Sequence, residues 1–161
     1  MHSTIYQITR EKVSNENCIG QNSLDQGDGY PIDYCSEVSP EERSKRIKSL
    51  VSSVLPKGMF TLMDDDTIRY EGGIDTWKET WVNAIREKAK LVTVDNIIEW
   101  TGGTEQLTKE LTNPLHTDAL FYIYEAGASL TPDKSDEFMR MVAALSKGDC
   151  LYIGGVLDYR F

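Results

Sequence analysis

Residues 2–10 alternate, with Ile5 and Ile8 set among polar residues and Tyr6 opposite Ile5, which predicts a first β-strand. No period persists over 11–30, where Gly20, Gly27 and Gly29 lie among many Asn, Gln and Asp residues, so this stretch reads as a long loop. Pro31 to Glu37 docks as a short extended piece. The pattern then turns helical. Ser39 can cap a helix that begins Pro40-Glu41-Glu42, with Glu42 completing a capping box, and Ile47, Leu50, Val51, Val54 and Leu55 form one apolar stripe that Pro56 and Gly58 stop. Met59 to Met63 and Thr67 to Glu71 read as the arms of a hairpin turning at Asp64-Asp65-Asp66.

Asp75 is placed to cap a second helix, on which Trp77, Trp81, Ile85 and Ala89 recur every fourth residue as a core-facing stripe. Thr93 opens a short helix through Ile97, Ile98 and Trp100 that ends at Gly102-Gly103, and Thr104 opens another, carrying Leu107 and Leu111 and ending at Asn113-Pro114. Ala119-Leu120-Phe121-Tyr122-Ile123-Tyr124 is apolar or aromatic on both faces, as suits a strand in the middle of a sheet. A last helix starts near Asp133 or Ser135, buries Phe138, Met141 or Val142, and Leu145, and ends at Gly148. Cys150 to Phe161 forms a final strand interrupted at Gly154-Gly155. The predicted order is β α β β α α α β α β. It describes one α+β domain over 1–161, with a small mixed or antiparallel sheet of about five strands packed with four or five helices. Residues 11–38 form a long acidic loop region, and connections of that length in a domain usually carry function or stay partly disordered. The terminal strands can pair with each other or flank the 119–124 strand.

The chain has 161 residues, 40% hydrophobic and 27% charged, enough to bury a core without a metal or disulfide staple. No apolar run approaches the ~20 residues of a membrane span. The first ten residues lack a basic region followed by an apolar stretch, so a cytoplasmic protein is expected. Charge adds more. With 26 acids against 17 bases, the net charge of −9 argues against direct nucleic-acid binding, which depends on Lys and Arg neutralising phosphates. Residues 11–42 hold eight acids and one base, so one segment carries seven of the nine net negative charges. Such a surface steers a basic partner, although charge runs are often just solvated faces.

Cys18, Cys35 and Cys150 are too few and too scattered for a zinc site, and an odd number fits a reducing compartment. A thiolate nucleophile would need a base, and Cys35 with His116 and Asp118 is the best available combination, though its spacing is not specific. The Asp64–Asp66 carboxylates can gather a hard cation, but aspartate is also a good turn residue. Residues 25–33 lack the sixth-position glycine and twelfth-position acid of a calcium loop. No phosphate-binding frame surrounds Gly154-Gly155, so a β-bulge or bend is the better reading there. Neither a metal nor a cofactor is expected. Trp77 and Trp81 belong by spacing to the core, whereas Trp100, beside Gly102-Gly103, is the tryptophan expected to be partly exposed. Tyr122, Tyr124, Tyr152 and Tyr159 fall on predicted strands, while Tyr30 and Tyr34 sit in the acidic segment, a composition suited to protein recognition.

The leading expectation is a non-enzymatic interaction or inhibitor module that presents Asp25, Asp28, Tyr30, Asp33, Tyr34 and Glu37 to a basic protein surface. The alternatives are a small hydrolase or transferase using Cys35, His116 and Asp118 or the 64–66 carboxylates, and a homo-oligomer that pairs through an exposed edge at Val156–Phe161.

Overall fold

A computed structural model describes residues 1–161. Six strands form one mixed sheet: β1 (His2–Thr9), β2 (Tyr34–Glu37), β3 (Phe60–Leu62), β4 (Thr67–Tyr70), β5 (Leu120–Tyr122) and β6 (Cys150–Arg160). Four helices accompany them: α1 (Pro40–Ser49), α2 (Ile74–Ala89), α3 (Gly103–Thr112) and α4 (Ser135–Ala143). The strand order is β3-β4-β6-β1-β5; β2 also pairs with β6, on the same edge as β4 but further along it, at Leu157–Arg160. This is the α+β class that the pattern predicts. No helix is long and apolar enough to cross a membrane.

The terminal strands do pair, antiparallel from His2 with Arg160 to Thr9 with Tyr152, and β5 joins β1 in parallel. Tyr6 sits opposite Val156 but Ile8 sits opposite Ile153, so β6 carries one extra residue at Gly154-Gly155. That bulge inverts the facing of β6: Leu151 and Ile153 before it and Val156 after it all reach the same core. A strict alternation would have turned Val156 away.

The larger core lies between one sheet face, α1 and α4, and includes Tyr6, Ile8, Phe121, Ile47, Leu50 and Phe138. Phe121 stacks on Phe138 with ring centroids 4.5 Å apart. Ser39 caps α1 as expected, its Oγ accepting from the Glu42 N–H at 3.2 Å, and a π-helical turn over Leu50–Val54 follows before Pro56. The opposite face packs Ile5, Tyr122, Leu157 and Tyr159 against Ile19, Leu24, Ile32 and Cys35. The stretch read as a bare loop is thus the second layer of the protein.

Five expectations need correction. The 119–124 strand is short and lies at the sheet edge beside β1; it reads as central because Phe121 and Tyr122 are buried from opposite sides by the two cores. Conversely, β6 is continuous and central. Its Leu157–Arg160 half pairs with β1 on one side and β2 on the other, so Val156–Phe161 is not an exposed edge and self-association through it has no free strand to use. Residues 93–100 are not a helix, because Asn96 folds them into turns: its Oδ1 accepts from the Thr93 N–H and its Nδ2 donates to the Leu91 carbonyl, both at 2.8 Å. Asp75 lies within the first turn of α2, which is capped by Gly73 instead. The α2 stripe is only half-buried: no α2 residue is fully buried, and the Trp77 and Trp81 rings lie tilted against each other with centroids 5.2 Å apart while Trp81 Nε1 donates to the Glu110 carbonyl.

An ionic knot ties α1 to both terminal strands. Arg46 donates to Asp158 Oδ1 at 2.9 Å, to Glu42 Oε1 at 3.0 Å and to Thr4 Oγ1 at 3.0 Å, while His2 Nδ1 meets Asp158 Oδ2 at 2.7 Å. Burial pushes the Asp158 carboxyl up, but the His2 and Arg46 hydrogen bonds overcome it and leave the group below its ordinary value. A carboxylate depressed in this way stabilises the fold above its unfolded pKa, and that stabilisation is lost as pH falls through the folded value. Asp158→Asn is therefore expected to cost about 2 kcal/mol at neutral pH and progressively less below about pH 4, measured by urea unfolding across a pH series.

Candidate functional site

The acidic segment is held in place residue by residue. Gln7, on the second face of β1, has a fully buried side chain. Its Oε1 accepts from the Ile19 and Gly155 N–H groups, and its Nε2 donates to the Asn17 and Tyr124 carbonyls. Further along, Gln26 Oε1 accepts from the Cys35 N–H at 2.6 Å, Asp25 N–H donates to Leu130, and Asp33 N–H donates to Arg160. Gly27 (φ 102°) and Gly29 (φ 88°) permit the turn that puts Tyr30 outside while Ile32 returns to the core.

With its apolar residues used inward, the segment displays the polar ones. Asp28, Asp33 and Glu37 are exposed, Tyr30 and Tyr34 remain 49% and 42% exposed, and Asp25 is half-buried. The structure thus places all six sequence-predicted contact residues on one ordered segment, although Glu37 and Tyr34 occupy opposite ends of β2. Of the eight carboxylates in residues 11–42, only Glu42 takes part in an ion pair. The negative charge is displayed rather than spent inside the protein.

The thiol combination is arranged differently. Cys35 is buried in the second core opposite Tyr159, and desolvation, aided by the Asp158 charge, pushes its thiol up to about 11. His116, in a left-handed backbone conformation (φ 52°), is hydrogen-bonded through Nε2 to the buried Glu110 carboxylate at 2.8 Å. Asp118 is exposed, and its backbone carbonyl accepts from the Tyr159 hydroxyl. His116 and Asp118 share an open groove of about 500 Å³ with Lys109 and Lys134, and Cys35 does not line it. At neutral pH, a thiol-specific disulfide reagent is expected to modify the half-buried Cys18 and Cys150 at least tenfold faster than Cys35; equal rates would show that the second core opens readily.

Asp64 to Asp66 form the hairpin turn. Asp64 Oδ1 accepts from the Asp66 N–H, and that bond, with others from Thr67, holds the Asp64 carboxyl below its usual value. The carboxylate serves the turn.

Two features went unread in the sequence. Between its pairings with β4 and β2, the bulged part of β6 has no strand beside it; Arg43 closes the gap by donating to the Ile153 and Gly154 carbonyls at 3.1 and 2.8 Å. A cleft of about 350 Å³ opens there, with Lys12, Cys18, Glu37, Arg43 and Asp66 on its walls. The other feature is the connection between α2 and α3, where Val94, Ile97, Ile98 and Trp100 are 94%, 54%, 86% and 91% exposed; of these only the exposure of Trp100 is expected from the sequence. The missing helical period in Thr93-Val94-Asp95-Asn96 was the signal available. Compared with protein-family models, with curated proteins and with solved structures, the chain matches none.

Proposed function

We propose that this protein is a non-enzymatic interaction module whose 11–42 segment engages a basic protein surface. The observation that carries the reading is an ordered segment in which apolar residues anchor the backbone and seven of eight carboxylates lack a cationic partner. Preorganisation matters because a loop already fixed does not lose its conformational freedom again on binding. Tyr30 and Tyr34 add rigid aromatic contacts, and the surrounding acids speed encounter with a cationic partner. The enzymatic alternative built on Cys35, His116 and Asp118 draws no comparable support: the thiol is buried, and the imidazole is engaged by Glu110.

A fluorescent oligoarginine peptide serves as the probe, with binding followed by anisotropy across ionic strength. Wild-type protein is expected to bind in a salt-sensitive manner. Converting Asp25, Asp28 and Asp33 to Asn and Glu37 to Gln together should weaken binding at least tenfold at low salt. A control with Asp65, Asp75, Glu79 and Glu87 neutralised removes the same charge from exposed positions elsewhere and should lose much less. Equal losses in the two variants would reduce the effect to net charge and overturn the assignment to this segment, as would retained binding after the first set of changes.

A further inference from the structure

The α2–α3 hairpin stands apart from the sheet. No α2 side chain is fully buried, and the pair reaches the main body through α3 against α4, through Trp77 against the larger core, and through Arg140 over the Trp81 ring at 5.7 Å. At its tip, four large apolar side chains fall within seven residues and face solvent. Isolated exposed apolar residues need no explanation, but a contiguous cluster on a rigid element marks a contact surface.

The tip is rigid. Besides the two Asn96 side-chain bonds, the Ile97 N–H donates to Thr93 at 3.0 Å and the Glu99 N–H to Asn96 at 3.0 Å. Gly103 packs so closely on the Leu91 backbone that a Cβ there would collide with it, which locks the end of α3 against the end of α2. The apolar residues are therefore presented in one arrangement.

From this surface we infer that the chain forms a homodimer through the hairpin tips, with Ile98 and Trp100 of each copy packed on the tip of the other. Charge selects this occupant. Asp95 and Glu99 flank the apolar residues and have no ion-pair partner, and neither have Arg86 and Lys88 on the last turn of α2, whereas Lys90 beside them is already paired with Glu87 at 2.7 Å. Two tips laid antiparallel bring the acids of each copy to the basic shoulder of the other, the self-complementarity that a two-fold interface requires. The same acids, on a protein of net charge −9, disfavour insertion into an anionic bilayer. Area is consistent: an exposed tryptophan alone offers on the order of 200 Å². With the smaller Val94, Ile97 and Ile98 and the adjoining shoulder added, the surface approaches the ~800 Å² per partner of a standard interface. This surface is separate from the 11–42 segment.

Sedimentation equilibrium of the full chain, over protein concentrations from low micromolar to submillimolar, tests the inference. The mass should rise from 18.2 kDa toward twice that value. Ile98→Asp with Trp100→Glu should weaken association by roughly 100-fold or more, since buried aromatic anchors dominate such interfaces. Unchanged circular dichroism and thermal midpoint in the variant would show that the fold is intact, as expected for side chains outside both cores. A wild-type mass of 18.2 kDa at every concentration would overturn the dimer, and so would an equal rise in wild type and variant, which would place the interface elsewhere. Co-sedimentation of monomeric wild type, but not the variant, with phosphatidylcholine vesicles would assign the tip to a lipid surface instead.

Discussion

Gln7→Leu is expected to destabilise the protein by about 3–5 kcal/mol, although leucine is apolar, similar in size and placed in a buried position. The four groups that Gln7 satisfies are backbone atoms of Ile19, Gly155, Asn17 and Tyr124, from three separate parts of the chain. Leucine leaves the Ile19 and Gly155 N–H groups and the Tyr124 carbonyl without a partner, while the Asn17 carbonyl keeps the Ala126 N–H at 2.9 Å, and each buried unsatisfied group costs roughly 1–3 kcal/mol before relaxation and water entry recover part of it. Set against a total stability of ~5–15 kcal/mol, this is a large fraction, equivalent to a thermal midpoint lowered by roughly 10 °C. The 11–20 segment should also become the first site of proteolysis, because its attachment to β1 runs through this amide. Gln7→Glu separates the roles: a carboxylate can still accept from Ile19 and Gly155 but cannot donate to the two carbonyls. Burial beside carbonyl oxygens favours its neutral form, so the folded pKa lies above the unfolded one and stability is lost as pH rises through that raised value. The Gln7→Glu deficit should therefore shrink in acid, whereas the Gln7→Leu deficit should follow the wild-type pH profile. A cost below about 1 kcal/mol for Gln7→Leu in urea unfolding would mean that the orphaned backbone groups find water readily.

Gln7 shows why part of this fold is legible in the sequence and part is not. Features governed by neighbours in sequence are readable: Ser39 and Glu42 announce α1, and the Asp64–Asp66 turn announces the β3–β4 hairpin. Position in the sheet is not local. Leu120-Phe121-Tyr122 is apolar on both faces whether a strand lies centrally or, as here, at an edge covered from both sides. In the same way, Gly154-Gly155 looks like an interruption of a strand, yet it lets β6 remain continuous while its facing inverts. The acidic segment was found by composition, because Asp28, Tyr30 and Asp33 differ in kind from their surroundings. What composition cannot reveal is that Ile19, Leu24, Ile32 and Cys35, spaced without a period, all bury on one sheet face. The α2 stripe errs in the other direction, since a helical period guarantees a packed face but not a deep core; it packs mainly on α3, with Trp77 alone of the stripe reaching the larger core.

The two glycines of the bulge should respond unequally to the loss of Gln7, which gives the second large effect. A Cβ added at Gly154 would overlap Gln7 Oε1 and come within 2.9 Å of Gln7 Cδ and Val13 Cγ2; one added at Gly155 would overlap the Ile19 carbonyl and sit 2.6 Å from Ile19 Cγ1. Neither glycine has a positive φ, so the obstacle is space and not backbone conformation. In the wild-type background both Gly154→Ala and Gly155→Ala are expected to cost about 3 kcal/mol, the upper range for overpacking, because Gln7 is pinned by its four bonds and Ile19 is pinned by burial. In a Gln7→Ala background the amide has gone, only the methyl tip of the half-buried Val13 still has to move aside, and the added methyl group enters vacated volume. The cost of Gly154→Ala should then fall below about 1 kcal/mol, a coupling of about 2 kcal/mol. Gly155→Ala still meets Ile19, whose side chain remains buried against Leu157 and Tyr159, so its coupling to Gln7 should be smaller, about 1 kcal/mol or less. Double-mutant cycles by urea unfolding measure both terms. Equal couplings would mean that Gln7 acts by clamping the whole 11–20 segment as one body. Unequal couplings in the stated order would show two independent contacts, an amide at Gly154 and an aliphatic anchor at Gly155, fixing the base of the acidic surface to the centre of the sheet.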